Sequence, residues 1–455
     1  MALQSDDLGT KRTRLQQWLV SKLPGAQNLS LSELKKPGAG LSNETLLFTL
    51  SWTDGGRTRS QYMVVRLQPA AFHVFPDYDL TVQYRIMQAL GPTAIPVPRV
   101  RWLEADPVIL GCPFYVMDAI AGQVPSDVPP YHTFGCLVDA APEQRARMWW
   151  HGVDTLARIH ALDWQRLGLS FLGVPPPGTG PVDQVLDYQE RYLHWACGDR
   201  PHPLLPAALE WLKHHRFAPK RVGLCWGDAR LGNVIYQGAQ IAGLLDWEMA
   251  FLGDPEADLM WWLYVDWMMS EGYGIPRLAG LPSREETIGH YEELTGTKVE
   301  HPLYHEVLAA FYNSIIFFRL AARMEAMGVP TPTPDFATNN VNSQALARLL
   351  GLPPPGAASR HEVIRLEDVT RRVQFRLTGS GGSDWYLIVD RGQPTRHQGT
   401  VANPDVTVTV SASDWSAIQR GELNRLQAYY AGKIQTEGDL TLFMQLEDVI
   451  AKLGR

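Results

Sequence analysis

The chain has 455 residues, of which 45% are hydrophobic and 20% are charged, and its formal net charge is −7. This length exceeds what one hydrophobic core usually supports, so we expect two or three domains. The negative charge argues against nucleic acid or an anionic membrane surface as the main partner.

The N-terminus and the cysteines predict a cytoplasmic location. Residues 1–13 are polar and lack the apolar stretch of a secretory signal. The four cysteines form no C-x-x-C pair, which favours free thiols in a reducing compartment. The apolar stretches 259–269 and 307–322 contain polar residues and fall short of the ~20 apolar residues that a spanning helix needs. We therefore expect no membrane span.

In chain order, the first predicted elements form a small sheet with one helix. Strands are predicted at 44–52, 57–68, 99–104 and 113–118, and a helix at 78–90. Asp54-Gly55-Gly56 between the first two strands is a strong hairpin signal.

From about residue 122 the pattern becomes mainly helical. Helices are predicted at 142–162, 182–197, 204–216, 256–269, 283–294 and 302–327. Short strand-like runs at 222–226 and 234–246 interrupt them. The pattern indicates an α+β protein with two lobes, a β-rich N-lobe at 15–121 and a mainly helical C-lobe at 122–350.

A separate domain is predicted after a linker. Residues 351–360 are rich in proline, glycine and alanine, which is typical of a connection between domains. Beyond it, strands are predicted at 373–377, 384–389 and 406–410, and helices at 414–421 and 440–453. Residues 361–455 are thus a second α+β folding unit of ordinary domain size.

Residues 222–258 carry the pattern with the most chemical content. Asp228 is followed after four residues by Asn233, and a later apolar run ends in Asp246. Phosphoryl transfer needs a carboxylate to accept the proton of the attacking hydroxyl, and an amide oxygen and a second carboxylate to hold Mg²⁺. The spacing therefore predicts Asp228 as the base and Asn233 and Asp246 as metal ligands.

The residues around this pattern leave alternatives open. Arg230, Glu248 and Asp258 are candidates for the site of the phosphate acceptor. Asp254 and Asp258 also fit an N-cap and a first-turn acid of the next helix.

The succession of strand, Gly-Asp, Asn, hairpin and Asp-Trp resembles the aminoglycoside phosphotransferase family, which is similar to choline kinases. It looks most like the branch that is fused to acyl-CoA dehydrogenases, over about residues 15–350. The resemblance implies a protein-kinase-like fold, ATP or GTP as donor with Mg²⁺, and the roles given above. It also implies a hinge at 114–122, where the backbone of Met117, Asp118 and Ile120 would meet the nucleotide base.

The chain departs from this family at three positions. Trp226 stands where the family has histidine before Gly-Asp. Arg66 stands where it has a phosphate-binding lysine, and can grip phosphate with two donors, although a surface arginine is the alternative. Gln83 replaces the glutamate partner of that lysine, so a hydrogen bond would replace an ion pair. Ser42 and Asn43 lie where the phosphate-covering loop belongs, or in an ordinary turn.

The C-terminal domain has its own resemblance. The segments Asp405-Val-Thr-Val, Gly421-Glu-Leu, Ala431-Gly-Lys-Ile and Glu437-Gly-Asp look like the sterol carrier protein type 2 (SCP-2) domain, over about 361–455. The resemblance implies an apolar tunnel for a lipid, sterol or acyl-CoA, which helix 440–453 would cover. The apolar stripe of that helix also fits an ordinary core.

Together these patterns predict a kinase for a small hydroxylated acceptor. The lipid-binding domain and the dehydrogenase-linked branch favour a lipophilic acceptor, hydroxyacyl or sterol-like. One alternative is a catalytically weak kinase fold that binds lipid or acts as a scaffold, and Trp226 and Gln83 favour it. A second alternative is an aminoglycoside phosphotransferase.

Overall fold

The computed structural model describes residues 8–36, 44–69, 73–174, 179–355, 370–420 and 433–438, with the single positions 423, 428 and 442. The chain divides into two compact units, Met1–Ile316 and Phe317–Arg455. The predicted linker at 351–360 falls inside the second unit, and its residues 356–360 lie outside the described part. The predicted domain limits therefore stay predictions.

A five-stranded antiparallel sheet opens the first unit. Its strands are β1 (Gln27–Leu31), β2 (Glu44–Asp54), β3 (Arg57–Leu67), β4 (Val100–Glu104) and β5 (Phe114–Asp118), in the order β1-β2-β3-β5-β4. The predicted hairpin is confirmed, since Asp54 pairs with Arg57 across the turn. Gly55 and Gly56 have positive φ angles of 55° and 75°. A two-residue turn of this type needs residues that tolerate positive φ.

The two faces of this sheet have different neighbours. One face packs against α1 (Leu8–Lys22) and buries Val65 and Leu67 of β3. Because successive side chains of a strand point to opposite faces, Arg66 projects from the other face. Helix α2 (Leu80–Leu90) packs against β4 and β5. The sheet thus directs Arg66 away from its apolar core.

Helices and two short β-ribbons make up the rest of the first unit. The helices are α3 (Cys136–Asp139), α4 (Pro142–His160), α5 (Pro181–Cys197), α6 (Leu205–His214), α7 (Glu256–Met269), α8 (Arg284–Thr295) and α9 (Pro302–Ala326), which continues into the second unit. The ribbons consist of the strands β6 (Gly223–Cys225), β7 (Val234–Gln237), β8 (Gln240–Leu244) and β9 (Phe251–Gly253). Strand β6 pairs with β9, and β7 with β8. The six helices predicted here are confirmed.

Helix α7 is the structural centre of this lobe. Nearly all of its residues are buried, and apolar side chains surround its axis. A helix that is apolar all round belongs to the interior of a domain. Asp258 of α7 accepts a hydrogen bond from the segment that follows β6, and Trp261 donates one to it. Helix α7 therefore fixes the position of that segment.

Helix α9 is the one described helix that is long and apolar enough to cross a membrane. Its most apolar window has a mean hydropathy of 1.3, and 56% of that window is buried in the protein. Interior helices of folded domains pass the same test, and α9 carries Glu306, Arg319 and Arg323. The absence of a membrane span therefore stays a prediction.

The second unit contains α10 (Val341–Leu349) and another five-stranded sheet. Its elements are β10 (Thr370–Thr378), β11 (Asp384–Asp390), β12 (Gln393–Gln398), β13 (Val406–Ser411), α11 (Ala412–Gln419) and β14 (Ile434–Gly438). The strand order is β12-β11-β10-β13-β14, and only the pairing of β10 with β13 among these strands is parallel. The three predicted strands are confirmed. The predicted helix at 440–453 lies outside the described residues except Leu442, which is buried in the core of this sheet.

Candidate active site

The segment after β6 carries Asp228 on a tight turn. Gly227 precedes it with a φ angle of 87°. A Cβ atom at this position would lie 2.0 Å from the carbonyl oxygen of Met249, so only glycine fits. A 3-10 turn at Leu231–Asn233 then leads into β7. Asp228 and Asn233 therefore occupy the two ends of one short loop.

Asp228 is held by donors from different parts of the chain. Its Oδ1 accepts a hydrogen bond from Trp261 Nε1 at 3.0 Å. Its Oδ2 accepts from Asn233 Nδ2 at 2.7 Å and from Arg230 Nε at 2.9 Å. A carboxylate offers about four acceptor positions, so one more donor, such as a hydroxyl group, can bind. This arrangement suits a proton acceptor of fixed orientation.

The amide of Asn233 also has a fixed orientation. Its Nδ2 donates both to the Asp228 carboxylate and, at 3.0 Å, to the Asp228 carbonyl oxygen. The nitrogen is thus used within the loop, which leaves the amide oxygen as the atom that can take a metal ion.

Asp246 lies beside this loop, two residues after β8. The backbone N–H of Leu245 donates to the carbonyl oxygen of Asn233 at 2.9 Å, which brings the two segments together. Asp246 adopts a left-handed conformation with φ 59° and ψ 64°. For a residue other than glycine this costs about 1–3 kcal/mol, a strain found mainly at functional sites.

Arg66 of β3 lies beside these residues. We call Asp228, Asn233, Asp246 and Arg66 the charged cluster. Its Nη2 donates to Asp246 Oδ1 at 2.9 Å, and the side chain is only 13% exposed. Burial acts to lower the pKa of Arg66, but Asp246, together with Tyr115, Tyr78 and Glu248, outweighs it and holds this pKa above its usual range. The buried Nε has no hydrogen-bond partner within the described part of the chain. Arg66 therefore keeps one donor for a ligand.

Trp226 braces the two segments from behind. Its ring is buried, and its Nε1 donates to the carbonyl oxygen of Leu245 at 2.8 Å. The indole therefore ties the residue just before Asp246 to the loop that carries Asp228. Trp226 thus supplies a side-chain N–H donor at the position where the family has histidine.

Asp258 does not lie where an acceptor would reach it. It is 1% exposed, and its two oxygens accept from the backbone N–H groups of Trp226 at 2.6 Å and Gly227 at 2.8 Å. His160 Nε2 lies 3.1 Å from the same carboxylate. The structure thus places Asp258 as a first-turn acid of α7 that positions the loop, and not in the acceptor site.

Apart from Arg66 and the hinge, the predicted nucleotide-binding residues of the N-lobe are Gln83, Ser42 and Asn43. Gln83 is buried and accepts from the hydroxyl of Tyr115 at 3.2 Å, whereas Arg66 pairs with Asp246. The hydrogen bond found at Gln83 is therefore the one from Tyr115, and not the expected one with Arg66. Burial raises the pKa of Tyr115 to about 12, so this phenol stays a donor. Ser42 and Asn43 lie outside the described residues.

The predicted hinge, residues 114–122, begins on β5 and contacts the ribbon of β7 and β8. Met117 is buried on β5. Asp118 accepts two hydrogen bonds from Arg101, at 2.6 and 2.8 Å. Ile120 packs on the β8 strand, where a Cβ atom on Gly243 would lie 2.5 Å from Ile120 Cδ1. Contact of these residues with a nucleotide stays a prediction.

The other two acceptor candidates are near the charged cluster. Burial, and next the charge of Asp246, raises the pKa of Glu248 to about 8, and its Oε2 accepts from Tyr78 at 3.2 Å. Arg230 forms ion pairs with Asp228 and with Asp127. Tyr78, Asp127 and Trp261 were not expected from the sequence, because none belongs to a motif and each is distant in the chain from its partner.

A model of the phosphotransferase enzyme family matches residues 33–293. The chain belongs to this family. A model of the SCP-2 sterol transfer family matches residues 357–451. Both resemblances seen in the sequence are therefore confirmed, and the phosphotransferase match contains the charged cluster.

Curated relatives of this phosphotransferase are longer than the region that matches it. Acyl-CoA dehydrogenase family member 10 of Mus musculus is 28% identical over 315 residues, which are 67% of this chain and 27% of the relative. Acyl-CoA dehydrogenase family member 11 of Rattus norvegicus is 25% identical over 389 residues, which are 80% of this chain and 46% of the relative. The chain spans less than half the length of either relative.

A solved structure supports the fold. A protein from Ralstonia eutropha that is assigned as an aminoglycoside phosphotransferase has a TM-score of 0.54 and 22% identity, over 74% of this chain and 95% of that one. At this identity the likeness shows the fold alone. The predicted protein-kinase-like arrangement, with a β-rich and a helical lobe, is confirmed.

Proposed function

We propose that this phosphotransferase is a small-molecule kinase, which moves the γ-phosphate of ATP or GTP to a hydroxyl group of a lipophilic acceptor. The observation that carries the proposal is the convergence of Asp228, Asn233, Asp246 and Arg66 on one site. These residues come from the N-lobe sheet and from both ribbons. They supply the parts that phosphoryl transfer requires.

Asp228 would receive the proton in this reaction. The acceptor oxygen forms a bond to the γ-phosphorus, and the bond from that phosphorus to the bridging oxygen breaks, which releases a nucleoside diphosphate. The hydroxyl proton goes to the carboxylate of Asp228, whose orientation is fixed by Trp261, Asn233 and Arg230.

Asn233 and Asp246 fit a magnesium ion, because an amide oxygen and a carboxylate are the hard oxygen ligands that Mg²⁺ prefers. When bound, Mg²⁺ would neutralise negative charge on the phosphates. The unpartnered Nε of Arg66 supports a role in phosphate binding, since buried polar atoms are normally satisfied.

The contacts also bear on the catalytically weak alternative. Trp226 donates a hydrogen bond to the residue before Asp246, so the indole can brace the loop as an imidazole would. Gln83 contacts Tyr115, which lies opposite Arg66 on the neighbouring strand. The contact made by Trp226 supports a working site over a scaffold.

The acceptor is proposed to be lipophilic on the basis of the C-terminal part. The SCP-2 sterol transfer match supports binding of a lipid or acyl-CoA there, and the relatives' acyl-CoA dehydrogenase names support hydroxyacyl acceptors next to sterol-like ones. Phosphorylation of aminoglycosides is the second candidate. The four free cysteines support a cytoplasmic location.

Thermal unfolding with ATP or GTP, each with and without Mg²⁺, tests the nucleotide part of the proposal. Arg66→Ala should weaken the stabilisation, and Arg59→Ala, which removes an exposed arginine of the same strand, should not. A phosphorylation screen over hydroxyacyl-CoAs, sterols and aminoglycosides then identifies the acceptor. Equal nucleotide affinity in both variants would return Arg66 to a structural role.

A further inference from the structure

Aromatic side chains from segments that are distant in the sequence form a wall beside Asp228. We call this group the aromatic wall. It consists of Phe75 and Tyr78 before α2, Tyr188 and Tyr192 of α5, Trp261 of α7 and Tyr312 of α9.

The wall begins at the catalytic carboxylate itself. Trp261 Nε1 donates to Asp228 Oδ1 at 3.0 Å, and the Trp261 ring meets the Tyr312 ring edge-on with 5.6 Å between centroids. Tyr312 contacts Tyr192 at 5.6 Å and Phe75 at 6.4 Å, again edge-on. Edge-on ring contacts are a favourable arrangement, so the wall is a continuous packed surface.

The segment before α2 closes the other end of the wall. The hydroxyl of Tyr192 donates to the carbonyl oxygen of Val74 at 2.9 Å. Phe75 is buried, with its ring 5.8 Å from that of Tyr192. Tyr78 donates to Glu248 at 3.2 Å. Phe75 thus joins the wall to the segment that carries Tyr78, whose hydroxyl contacts Glu248 close to Asp246 in the chain.

Part of the wall is exposed. Tyr192 is fully buried, whereas Tyr78, Tyr188 and Tyr312 are only half-buried. Their phenols stay neutral, since burial raises the pKa of Tyr188 to about 12.

The carboxylates beside the wall already have partners. Asp228 is paired with Arg230, and Asp246 with Arg66. Glu248 accepts a hydrogen bond from Tyr78. A polycation would therefore have to compete with two arginines for Asp228 and Asp246, whereas an apolar group meets the rings directly.

We propose that the aromatic wall is the acceptor subsite, and that its ligand is an alcohol with an uncharged apolar body. This inference rests on the proposed phosphoryl transfer, because it places the acceptor at Asp228. Apolar groups gain free energy by leaving water against aromatic rings, in proportion to the apolar area buried. An aminosugar that carries several positive charges gains little there.

Equilibrium binding without nucleotide separates this inference from the transfer reaction. The probes are 2-phenylethanol as a ring alcohol, 1-octanol as a chain alcohol and kanamycin as a polycation. We expect at least one alcohol to bind and kanamycin not to bind. Tyr312→Ser should weaken alcohol binding about tenfold, and Tyr312→Phe should not. Tyr273→Ser, which changes an exposed tyrosine elsewhere, is the control.

Folding of each variant is checked by its circular dichroism spectrum, and Tyr188→Ser serves if Tyr312→Ser does not fold. Kanamycin binding with no alcohol binding would overturn the inference, as would alcohol binding that neither folded wall variant weakens. Alcohol binding that the wall variants weaken, but no transfer with ATP or GTP and Mg²⁺, would support the subsite and count against the proposed kinase activity.

Discussion

The candidate active site and the C-terminal sheet bury different kinds of side chain. Around Asp228 and Asp246, buried charges and amides are held by hydrogen bonds of 2.7–3.0 Å. In the C-terminal sheet, Phe375 and Trp385 stack with 3.9 Å between ring centroids inside an apolar core. Burying a charge costs free energy unless partners satisfy it, whereas burying apolar surface stabilises.

This difference indicates how each region would work. The candidate active site holds charges at fixed positions, and a phosphate and a metal ion would use the donors and acceptors that remain. The described core cluster of the C-terminal sheet consists of apolar side chains, so substitutions there should act on stability. Variants can therefore separate chemistry from stability.

The largest effect is expected at Asp228. Asp228→Asn keeps the shape of the side chain but removes the proton acceptor, so kcat should fall by about 10²–10⁴. Nucleotide affinity should hardly change. Initial rates with an identified acceptor measure the effect, and Asp199→Asn, at an exposed position, is the control. Full activity of Asp228→Asn would show that another group takes the proton.

In the C-terminal sheet the main effect should be on stability. Phe375→Ala removes a fully buried ring and should lower the free energy of unfolding of this unit by about 3–5 kcal/mol. Nucleotide binding by the first unit should not change. Calorimetry of the full chain measures both. Tyr386→Ala, on the other face of β11, should cost less, and equal costs would contradict the assigned core.

Trp226 tests whether the departure from histidine is functional. Trp226→Phe removes the N–H and leaves the carbonyl oxygen of Leu245 without this donor, at a cost of about 1–3 kcal/mol in stability. The rate of transfer should also fall. Trp247→Phe removes a longer bond, of 3.4 Å, and should cost less. If the two variants behave alike, the brace from Trp226 is unimportant.

The smallest effect is a pH dependence at Glu248. Its pKa is about 8 in the folded protein, mainly because of burial, against an ordinary 4.5. Between these values the folded state binds more protons than the unfolded state, so stability should fall as pH rises from about 5 to 8. Glu248→Gln should remove this part of the slope of Tm against pH. An unchanged slope would show that other groups cause it.

The sequence predicted those parts that depend on local spacing. The Asp-Gly-Gly hairpin, the helices of the C-lobe and the meeting of Asp228 with Asn233 follow from short-range patterns. The pairing of Arg66 with Asp246 spans 180 residues and was not expected, since the family resemblance implied Gln83 as the partner of Arg66.

The sequence did not predict contacts between distant segments without a motif. Trp261 reaches Asp228 only because α7 passes behind the loop, and Asp258 binds backbone N–H groups because α7 begins there. The periodicity of α7 reveals neither, since its buried residues surround the whole helix. Helix α1 was also missed, because its charged residues mask a narrow apolar stripe at Leu15, Trp18 and Leu19.

We propose that Asn233, Asp246 and Arg66 form a site for a magnesium nucleotide. The change in Tm caused by ATP or GTP with Mg²⁺, in wild type and in Asp246→Asn, tests this. At a hundred times its Kd, a nucleotide should add about 2.7 kcal/mol to the free energy of unfolding of the wild type. This gain should disappear with a chelator and in Asp246→Asn. A wild type that neither nucleotide stabilises, with or without Mg²⁺, would show that these residues do not form a nucleotide site.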